Sequence, residues 1–456
     1  MLRTIILREL SDHLRSLRLS LTFILVVLVM ITASALYVHD YRQLIADYSE
    51  NVNANLRLLR GKAKKGLYDV VSFPPNQLIY RSPNPLGLIA EGHEKALPNA
   101  FEVDAFELTG PKMKLRGNYT LWRFDQLDWA FIVGVILSFA ALVLTYDGIC
   151  GEREAGTLRL CLSNALPRST LLFGKFIGAI ISLMIPLIVG ICISLLILSV
   201  SGVVPLDGAH WQRIGVIVLL SILYISAFVA LGLFVSSLTQ TSAVSLILLL
   251  LAWVGFVVII PKTGGLLASE LVQLPDAEAV SQRAKDATWD VVKRYSGKGS
   301  GFSWNWSPGE PLSRSVQIAD AQIAIYDEYR NRQINQVKLA QNLTRISPTA
   351  IYQIACESLA GSGINHYERF LKQAREYRRT LLQYTRDKYP YDPDSLPGHH
   401  ELKKIKINFD EIPKFADKPS DVSTALADAS WNILLLFLFN TLFFMGAFWA
   451  FIRYDV

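Results

Sequence analysis

The residue types that could do chemistry are sparse in this sequence, and none of them forms a complete metal site. His399-His400-Glu401 is the one dense group of ligand types, and no supporting ligand lies near it in the chain. Gly92-His93-Glu94-Lys95-Ala96-Leu97 lacks the second histidine of a zinc-protease helix. The five methionines and seven histidines include no Met-x-x-Met, and the cysteines no Cys-x-x-Cys. We therefore expect no metal in this chain.

Nucleotide chemistry is also not expected. A phosphate-binding loop needs the pattern GxxxxGK[ST], in which backbone amides surround the phosphates and the lysine neutralises them. The nearest fragment, Gly297-Lys298-Gly299, has the wrong spacing. The chain is therefore predicted not to be an enzyme, with no catalytic residue and no cofactor of its own.

The hydrophobic residues of the chain are strongly clustered, and these clusters predict the helices that carry the residues above. Of 456 residues, 51% are hydrophobic and only 18% are charged, which is unusual for a soluble protein. Runs without Asp, Glu, Lys, Arg or His occur at Leu19–Val38, Trp129–Tyr146, Phe176–Leu206, Ile214–Pro261 and Trp431–Ile452. The fourth run breaks near Ser236–Gln240 into two helices. Since a span needs about 20 apolar residues, the sequence predicts an all-α polytopic membrane protein with six transmembrane helices.

The predicted order is a cytoplasmic interfacial helix (1–18), TM1 (19–38), a first extracytoplasmic segment (39–128), TM2 (129–146), a cytoplasmic loop (147–175), TM3 (176–206), TM4 (214–236), TM5 (241–261), a second extracytoplasmic segment (262–430) and TM6 (431–452). Basic residues concentrate in the short pieces that this order places inside. Both termini are therefore predicted to be cytoplasmic, in a plasma membrane such as the bacterial inner membrane. The net charge of +6 is spread thinly, so no nucleic acid partner is expected.

The first 18 residues read as an amphipathic helix at the membrane surface. One stripe is apolar, and arginines lie beside it. The stripe consists of Leu2, Ile5, Ile6, Leu10, Leu14 and Leu17. The alternative is a secretory signal peptide. It is disfavoured because the following run is as long as a full span and no small-x-small cleavage site ends it cleanly.

Both extracytoplasmic segments are predicted to be structured and mainly helical. A helical period continues from Tyr41 to Leu59, so the TM1 helix should extend beyond the membrane. Phe101–Leu108 alternates like a short strand. Helices are predicted over Ser313–Thr344, from Ser347-Pro348 to Gly361, and from a capping box at Asn365-x-x-Glu368. Their apolar stripes should pack the external domain against itself, with partner binding as the alternative.

The energy source must lie outside the predicted spans, because none of them contains the titratable side chains that an ion-driven carrier needs. Either the protein moves nothing or another subunit supplies the energy. The loop 147–175 is the candidate entry point. Gly156 would let the backbone turn, and Thr157-Leu158 would begin a short helix with Leu158 as apolar contact. Arg168 and Lys175 should face headgroups or an acidic partner, Lys175 by snorkelling.

At this loop the chain resembles the permease subunits of type-2 (ABC-2) ATP-binding-cassette transporters. Glu152–Leu158, Cys161–Arg168 and Gly174-Lys175 follow the patterns E-R-E-x-G-T-L, L-L-S-x-P-x-x-R and G-K, the second with variations. The likeness extends to the branch labelled multi-copper enzyme maturation-type permeases with a large external insertion. It is carried there by Leu127–Ile132, Ser82–Leu86 and Ile346–Ala350 and covers nearly the whole chain. The residues themselves argue against direct copper handling.

The resemblance implies a homodimer or heterodimer of permeases whose loops dock, as coupling helices, on a separate cytoplasmic ATPase subunit that binds ATP and Mg²⁺. By position, the coupling residues would be Glu152, Arg153, Glu154, Gly156, Thr157, Leu158, Arg168 and Lys175. The alternative is that Glu152 and Glu154 only cap and solvate a helix end.

Three functions remain open from the sequence. The first is ATP-driven export of a substrate, lipidic or otherwise amphipathic. The second is a mechanotransmitting subunit that moves an extracytoplasmic partner without solute flux. The third is a membrane scaffold or receptor that uses its helical ectodomain. All three place the spans against membrane lipid.

Overall fold

The computed structural model describes residues 2–71, 77–92, 97–103, 108–112, 127–158, 167–296, 313–388, 402 and 404–453. Several features singled out in the sequence lie outside these residues. They are His93-Glu94, the stretch 159–166 with most of the second loop motif, Gly297-Lys298-Gly299, and His399-His400-Glu401.

Among the described residues, six helices are long and apolar enough to cross a membrane, and each overlaps one predicted run. We call them spans 1 to 6; they are Leu17–Ala63, Trp129–Glu154, Arg168–Ser201, Gly208–Leu238, Ser242–Leu271 and Val422–Ile452. The fourth apolar run does divide, between Leu238 and Ser242. The prediction of an all-α polytopic membrane protein is confirmed.

Spans 2 and 5 each contain a π-helical turn. Span 2 consists of Trp129–Phe131, the π-turn Ile132–Leu137, Ser138–Thr145 and the short helix Cys150–Glu154. Span 5 consists of Ser242–Trp253, the π-turn Val254–Ile259 and Ile260–Leu271. A π-turn disturbs the regular hydrogen-bond ladder, and the Gly134 carbonyl of span 2 accepts hydrogen bonds from Ser138 Oγ (2.7 Å) and Tyr224 Oη (2.8 Å). Trp253 Nε1 donates to Ser138 Oγ at 2.9 Å, which joins the two interrupted spans.

Helix α1 (Leu2–Arg15) precedes span 1 and is separated from it at Ser16, whose side chain caps span 1 by accepting a hydrogen bond from Leu19 N. Span 1 itself has 47 residues, or roughly 70 Å at 1.5 Å per residue. This length far exceeds a bilayer core, as predicted from the period that continues to Leu59. Its far end contributes Leu59 and Ala63 to a second hydrophobic core.

This second core belongs to what we call the insertion domain, formed by the residues of 39–128 and 262–430 that surround it. The domain contains α2 (Leu67–Val71), α3 (Ala277–Ser296), α4 (Ser313–Thr344), α6 (Ile364–Lys388) and a 3₁₀ turn at Phe409–Glu411. Helix α5 (Pro348–Ala360) lies between α4 and α6 in the chain but belongs to the main core. α6 places Phe370, Ala374 and Leu381 in the core, as its stripe predicted.

The strand prediction over Phe101–Leu108 is wrong in extent. A three-stranded antiparallel sheet contains β1 (Gln77–Tyr80), β2 (Ala100–Val103) and β3 (Leu108–Lys112), in the order β1-β2-β3. Gln77 pairs with Val103 and Tyr80 with Ala100. The alternating pattern thus covers the central strand and the start of an edge strand, while β1 is too short to be recognised by period.

The start and end of α5 were predicted correctly. Ser347 Oγ accepts from Thr349 N and Ala350 N, Pro348 occupies the first turn, and Gly361 ends the helix with φ +79°. Its packing was not predicted, because α5 is buried against spans 4 and 6 instead of the insertion core. The Tyr352 ring stacks on Tyr224 of span 4 with centroids 4.5 Å apart.

Candidate functional site

The short helix Cys150–Glu154, which we call the loop helix, is capped at its start by a side chain of span 4. The backbone N–H groups of Ile149 and Cys150 donate to Ser236 Oγ of span 4 at 3.0 and 3.2 Å. A helix start leaves such donors without internal partners. Here a residue 86 positions away satisfies them, so the loop helix is fixed to the end of span 4.

Arg153 and Glu154 of the loop helix each cap the end of another helix. Glu154 accepts from Ser242 N (3.2 Å) and Ser242 Oγ (2.6 Å) at the first turn of span 5. Arg153 Nη1 donates to the carbonyl of Thr239, which follows the last turn of span 4, at 3.0 Å. Each charge has the sign that the helix dipole favours at that end. Glu154 therefore caps a helix, as the alternative interpretation proposed, but the capped helix is span 5.

Lys175 is buried and does not snorkel, so the expectation that it faces headgroups is wrong. Its ammonium lies 2.7 Å from Glu152 Oε1 of the loop helix and 2.7 Å from Glu9 Oε1 of α1. The residue is only 5% exposed. Span 3 begins at Arg168, seven residues earlier, so Lys175 lies two turns inside a helix instead of at its edge.

Helix α1 approaches span 3 closely because two glycines form the contact. A Cβ on Gly174 would lie 2.5 Å from Ile5 Cγ2, and one on Gly178 would lie 2.9 Å from Glu9 Cβ. Small residues four apart commonly permit close helix packing in membranes. The Gly174-Lys175 pair therefore has a physical role: the glycine admits α1 and the lysine binds its Glu9.

Residues 146–158, which we call the loop segment, also contact span 1, and the first residue of span 3 contacts span 6. Arg18 at the start of span 1 donates to Asp147 Oδ2 (2.9 Å) and to Tyr146 Oη (2.8 Å). Arg168 donates to the carbonyl of Ile452 at 2.6 Å, at the last turn of span 6. Arg168 thus caps a helix end instead of facing headgroups.

The exposed tip of the loop segment consists of Ala155, Gly156 and Thr157. Gly156 has φ +70°, and nothing lies within 4 Å of the position a Cβ would take. Thr157 Oγ1 donates to the Glu152 carbonyl at 3.1 Å. Leu158 is 2% exposed and belongs to the main core, so it does not offer the outward apolar contact that was expected.

The structure thus brings all eight predicted residues into one region, but in two groups. Glu154, Gly156 and Thr157 are exposed, although the Glu154 carboxylate also caps span 5. Glu152, Arg153, Arg168 and Lys175 connect helices, and Leu158 packs in the main core. Sequence reasoning missed Glu9, Asp147, Ser236 and Ser242. Ser236 and Ser242 flank the break between spans 4 and 5, a polar position that could have suggested contacts.

Comparisons with known proteins agree with this architecture. A family model described as ABC-2 family transporter protein matches residues 3–456. A probable ABC transporter permease protein NosY from Stutzerimonas stutzeri is 41% identical over 76 residues, which are 16% of this chain and 28% of the relative. The NosY protein of Pseudomonas aeruginosa is 51% identical over 43 residues, 9% of this chain and 16% of the relative.

These two alignments span less than a third of either relative's length. The family match, in contrast, covers nearly the whole chain. It agrees with the six apolar helices. The chain therefore belongs to the ABC-2 family of transporter proteins, as a multi-pass membrane subunit of an ABC transporter.

Proposed function

We propose that this permease couples ATP hydrolysis by a separate cytoplasmic subunit to export of a substrate through its spans. The observation that carries the proposal is that residues 146–158, together with the first residue of span 3, contact all the other spans. Span 2 ends in residues 146–158, whose polar side chains bind spans 1, 3, 4 and 5. Arg168 at the start of span 3 binds span 6. A force applied at this segment would therefore reach the whole bundle.

The two groups of loop residues have different parts in this proposal. The exposed Glu154, Gly156 and Thr157 form the surface on which the ATPase docks. The partly buried Glu152 and Arg153 and the buried Lys175 transmit its movement, because each forms a polar contact between the loop helix and another helix. Coupling by rigid, hydrogen-bonded elements is the physical form that such transmission takes.

The basic residues near the N-terminus indicate which side of the membrane the loop segment occupies. Arg3, Arg8, Arg15 and Arg18 lie in or beside α1, on the same side as the loop segment. Short basic segments remain on the cytoplasmic side. We infer that both termini and the loop are cytoplasmic, that the membrane is a bacterial inner membrane, and that two permeases, identical or different, assemble with the ATPase. The NosY relatives, whose names describe probable ABC permeases, support a permease role.

Co-reconstitution tests the coupling. The permease and its candidate ATPase are placed in liposomes, and ATP hydrolysis is measured with and without the permease. The proposal requires that the permease changes the hydrolysis rate and that variants of the exposed tip abolish this change. An unchanged rate with a folded, inserted permease would contradict it.

A second candidate function, mechanotransmission without solute flux, is favoured by span 1. This one helix runs from the loop contacts at Arg18 to the insertion core at Leu59. A tilt of span 1 would move the insertion domain directly. ATP-dependent flux of a lipid or amphipathic reporter supports export; ATP-dependent movement of the insertion domain with no flux supports transmission to a partner there.

A further inference from the structure

A polar cavity of about 160 Å³ lies among four helices, at the edge of the insertion domain. Its walls come from the end of α4, from α5, from the start of α6 and from the first turns of span 6. The cavity is far from the loop segment, and no residue of the proposed coupling element lines it. The charges on its walls suggest what it binds.

Arg345 supplies a cationic wall. It follows the last residue of α4, and its Nε donates to Asn432 Oδ1 of span 6 at 3.1 Å. Nη1 donates to the side-chain oxygen of Asn342. Asn432 is only 1% exposed. Within the described part of the chain, no carboxylate forms an ion pair with Arg345, and burial lowers its pKa. A guanidinium with amide partners alone retains the capacity to bind an anion.

The N-terminus of α6 lines the same cavity through Gly363, Ile364 and Asn365. This helix has 25 residues, and its first backbone N–H groups lack partners within the helix. Such N-termini favour a carboxylate or phosphate group. The arginine and the helix end therefore present positive potential to the same space.

Glu357 of α5 supplies an acidic wall. It is 5% exposed, and Gln353 Nε2 donates to its Oε1 at 3.3 Å. Among the described residues, no cation pairs with it. The other charged wall residues are already compensated, since Lys338 pairs with Glu368 at 2.6 Å and Asp428 with Arg369 at 2.7 Å. One cationic and one acidic group thus remain for a ligand.

We propose that this cavity binds a small zwitterion of amino-acid size. Its carboxylate would lie against Arg345 and the start of α6, and its ammonium group against Glu357. The volume corresponds to about five water molecules at ~30 Å³ each, or a compound of roughly six heavy atoms. Phosphate fits less well, because Glu357 would oppose a dianion.

Binding to the purified full chain tests the proposal without any ATPase, so its outcome is independent of the coupling mechanism. The probes are L-alanine, propionate, which lacks the ammonium group, ethylamine, which lacks the carboxylate, and inorganic phosphate. Isothermal titration at pH 8, above the pKa of about 7 that burial gives Glu357, should show saturable binding of alanine. Propionate and ethylamine should each bind at least ~10-fold more weakly, the effect of one lost charge-assisted hydrogen bond.

Matched variants assign the two ends. Alanine should bind Arg345→Gln no more tightly than ethylamine binds the unaltered chain. It should bind Glu357→Gln no more tightly than propionate binds the unaltered chain. Arg379→Gln and Glu376→Gln make the same charge changes on the exposed face of α6 and should leave binding unchanged. If Arg345→Gln does not fold, the probe series on the unaltered chain still decides. Binding of either half-analogue as tightly as alanine, tighter binding of phosphate than of alanine, or no saturation by alanine up to about 100 mM would overturn the proposal.

Discussion

Lys175 Nζ of span 3 lies 2.7 Å from Glu152 Oε1 of the loop helix, two turns inside the helix that carries it. A second carboxylate, from Glu9 of α1, binds the same ammonium at 2.7 Å. One buried cation therefore holds the N-terminal helix, span 3 and the loop helix together. The lysine is only 6% exposed at its side chain, so solvent screens these pairs weakly.

Replacing this lysine should be costly. Lys175→Met leaves two carboxylates without their cation, and breaking a buried pair in this way costs about 3–5 kcal/mol. We expect a clear drop in melting temperature in detergent and loss of α1 docking. Lys338→Met is the matched control, because its pair with Glu368 is 39% and 50% exposed. Exposed pairs contribute about 0–1 kcal/mol. Equal melting temperatures for the two variants would contradict the bridging role of Lys175.

The glycine contact of α1 makes a second prediction. In Gly174→Val the new side chain would collide with Ile5, whose Cγ2 lies 2.5 Å from the position that the added Cβ would take. Overpacking of this kind costs about 1–3 kcal/mol. Adding Ile5→Ala should restore much of the stability, which a double-mutant cycle measures. Gly215→Ala, where nothing lies within 4 Å, controls for a side chain added to an apolar helix. Additive effects of the first two changes would exclude the contact.

Features of the fold that depend on local sequence were predictable. The spans follow from the length of charge-free runs, and α5 follows from the order Ser347, Pro348 and Gly361 around it. These signals act within a few residues, so they hold whatever the surroundings are. The extension of span 1 to Ala63 was predictable for the same reason.

Features that depend on distant partners were not predictable. Lys175 near a span end reads as a snorkelling residue, and its burial is favourable because of Glu152 and of Glu9, which lies 166 residues away. Likewise, α5 follows span 5 and precedes span 6 in the chain, but its own 13 residues give no sign that Tyr352 stacks on Tyr224 of span 4. The region of the candidate site was therefore predictable, and the division of its residues into exposed and buried groups was not.

Stability should fall as the pH rises from about 4.5 toward 7, because of Glu357. Burial raises the pKa of this carboxyl from 4.5 to about 7. Between these two values the folded chain holds a proton that the unfolded chain has lost, so stability decreases with rising pH and levels off above about 7. The full change is on the order of 3 kcal/mol.

Glu357→Gln provides the comparison for this prediction. It removes the titrating group while it keeps the shape, so melting temperatures measured from pH 5 to 8 should change less with pH than in the unaltered chain. Part of the pH dependence of stability should remain in Glu357→Gln, because burial also raises the pKa of Asp128, at the start of span 2, to about 7. A pH profile that Glu357→Gln does not alter would show that this carboxyl does not titrate in the range.

Substitutions at the exposed tip should distinguish a loss of coupling to the ATPase from a loss of folding stability. Gly156 has φ +70° and donates its N–H to the Arg153 carbonyl at 3.0 Å. Gly202, which follows the last residue of span 3, has φ +61° and donates its N–H to the Ser199 carbonyl at 3.3 Å. Proline requires φ near −65° and has no N–H. Gly156→Pro and Gly202→Pro should therefore lose similar stability, roughly 1–3 kcal/mol each.

Only the first of these variants should affect coupling. With the ATPase present, we expect Gly156→Pro to reduce stimulated hydrolysis to the basal rate and Gly202→Pro to leave the stimulation intact. Glu152→Lys is a poorer probe, because a second ammonium beside Lys175 would disturb folding as well. Equal loss in both proline variants would mean that hydrolysis follows stability alone, and equal retention would mean that the ATPase docks elsewhere. Loss in Gly156→Pro alone, at matched melting temperatures, locates the coupling at the tip of the loop.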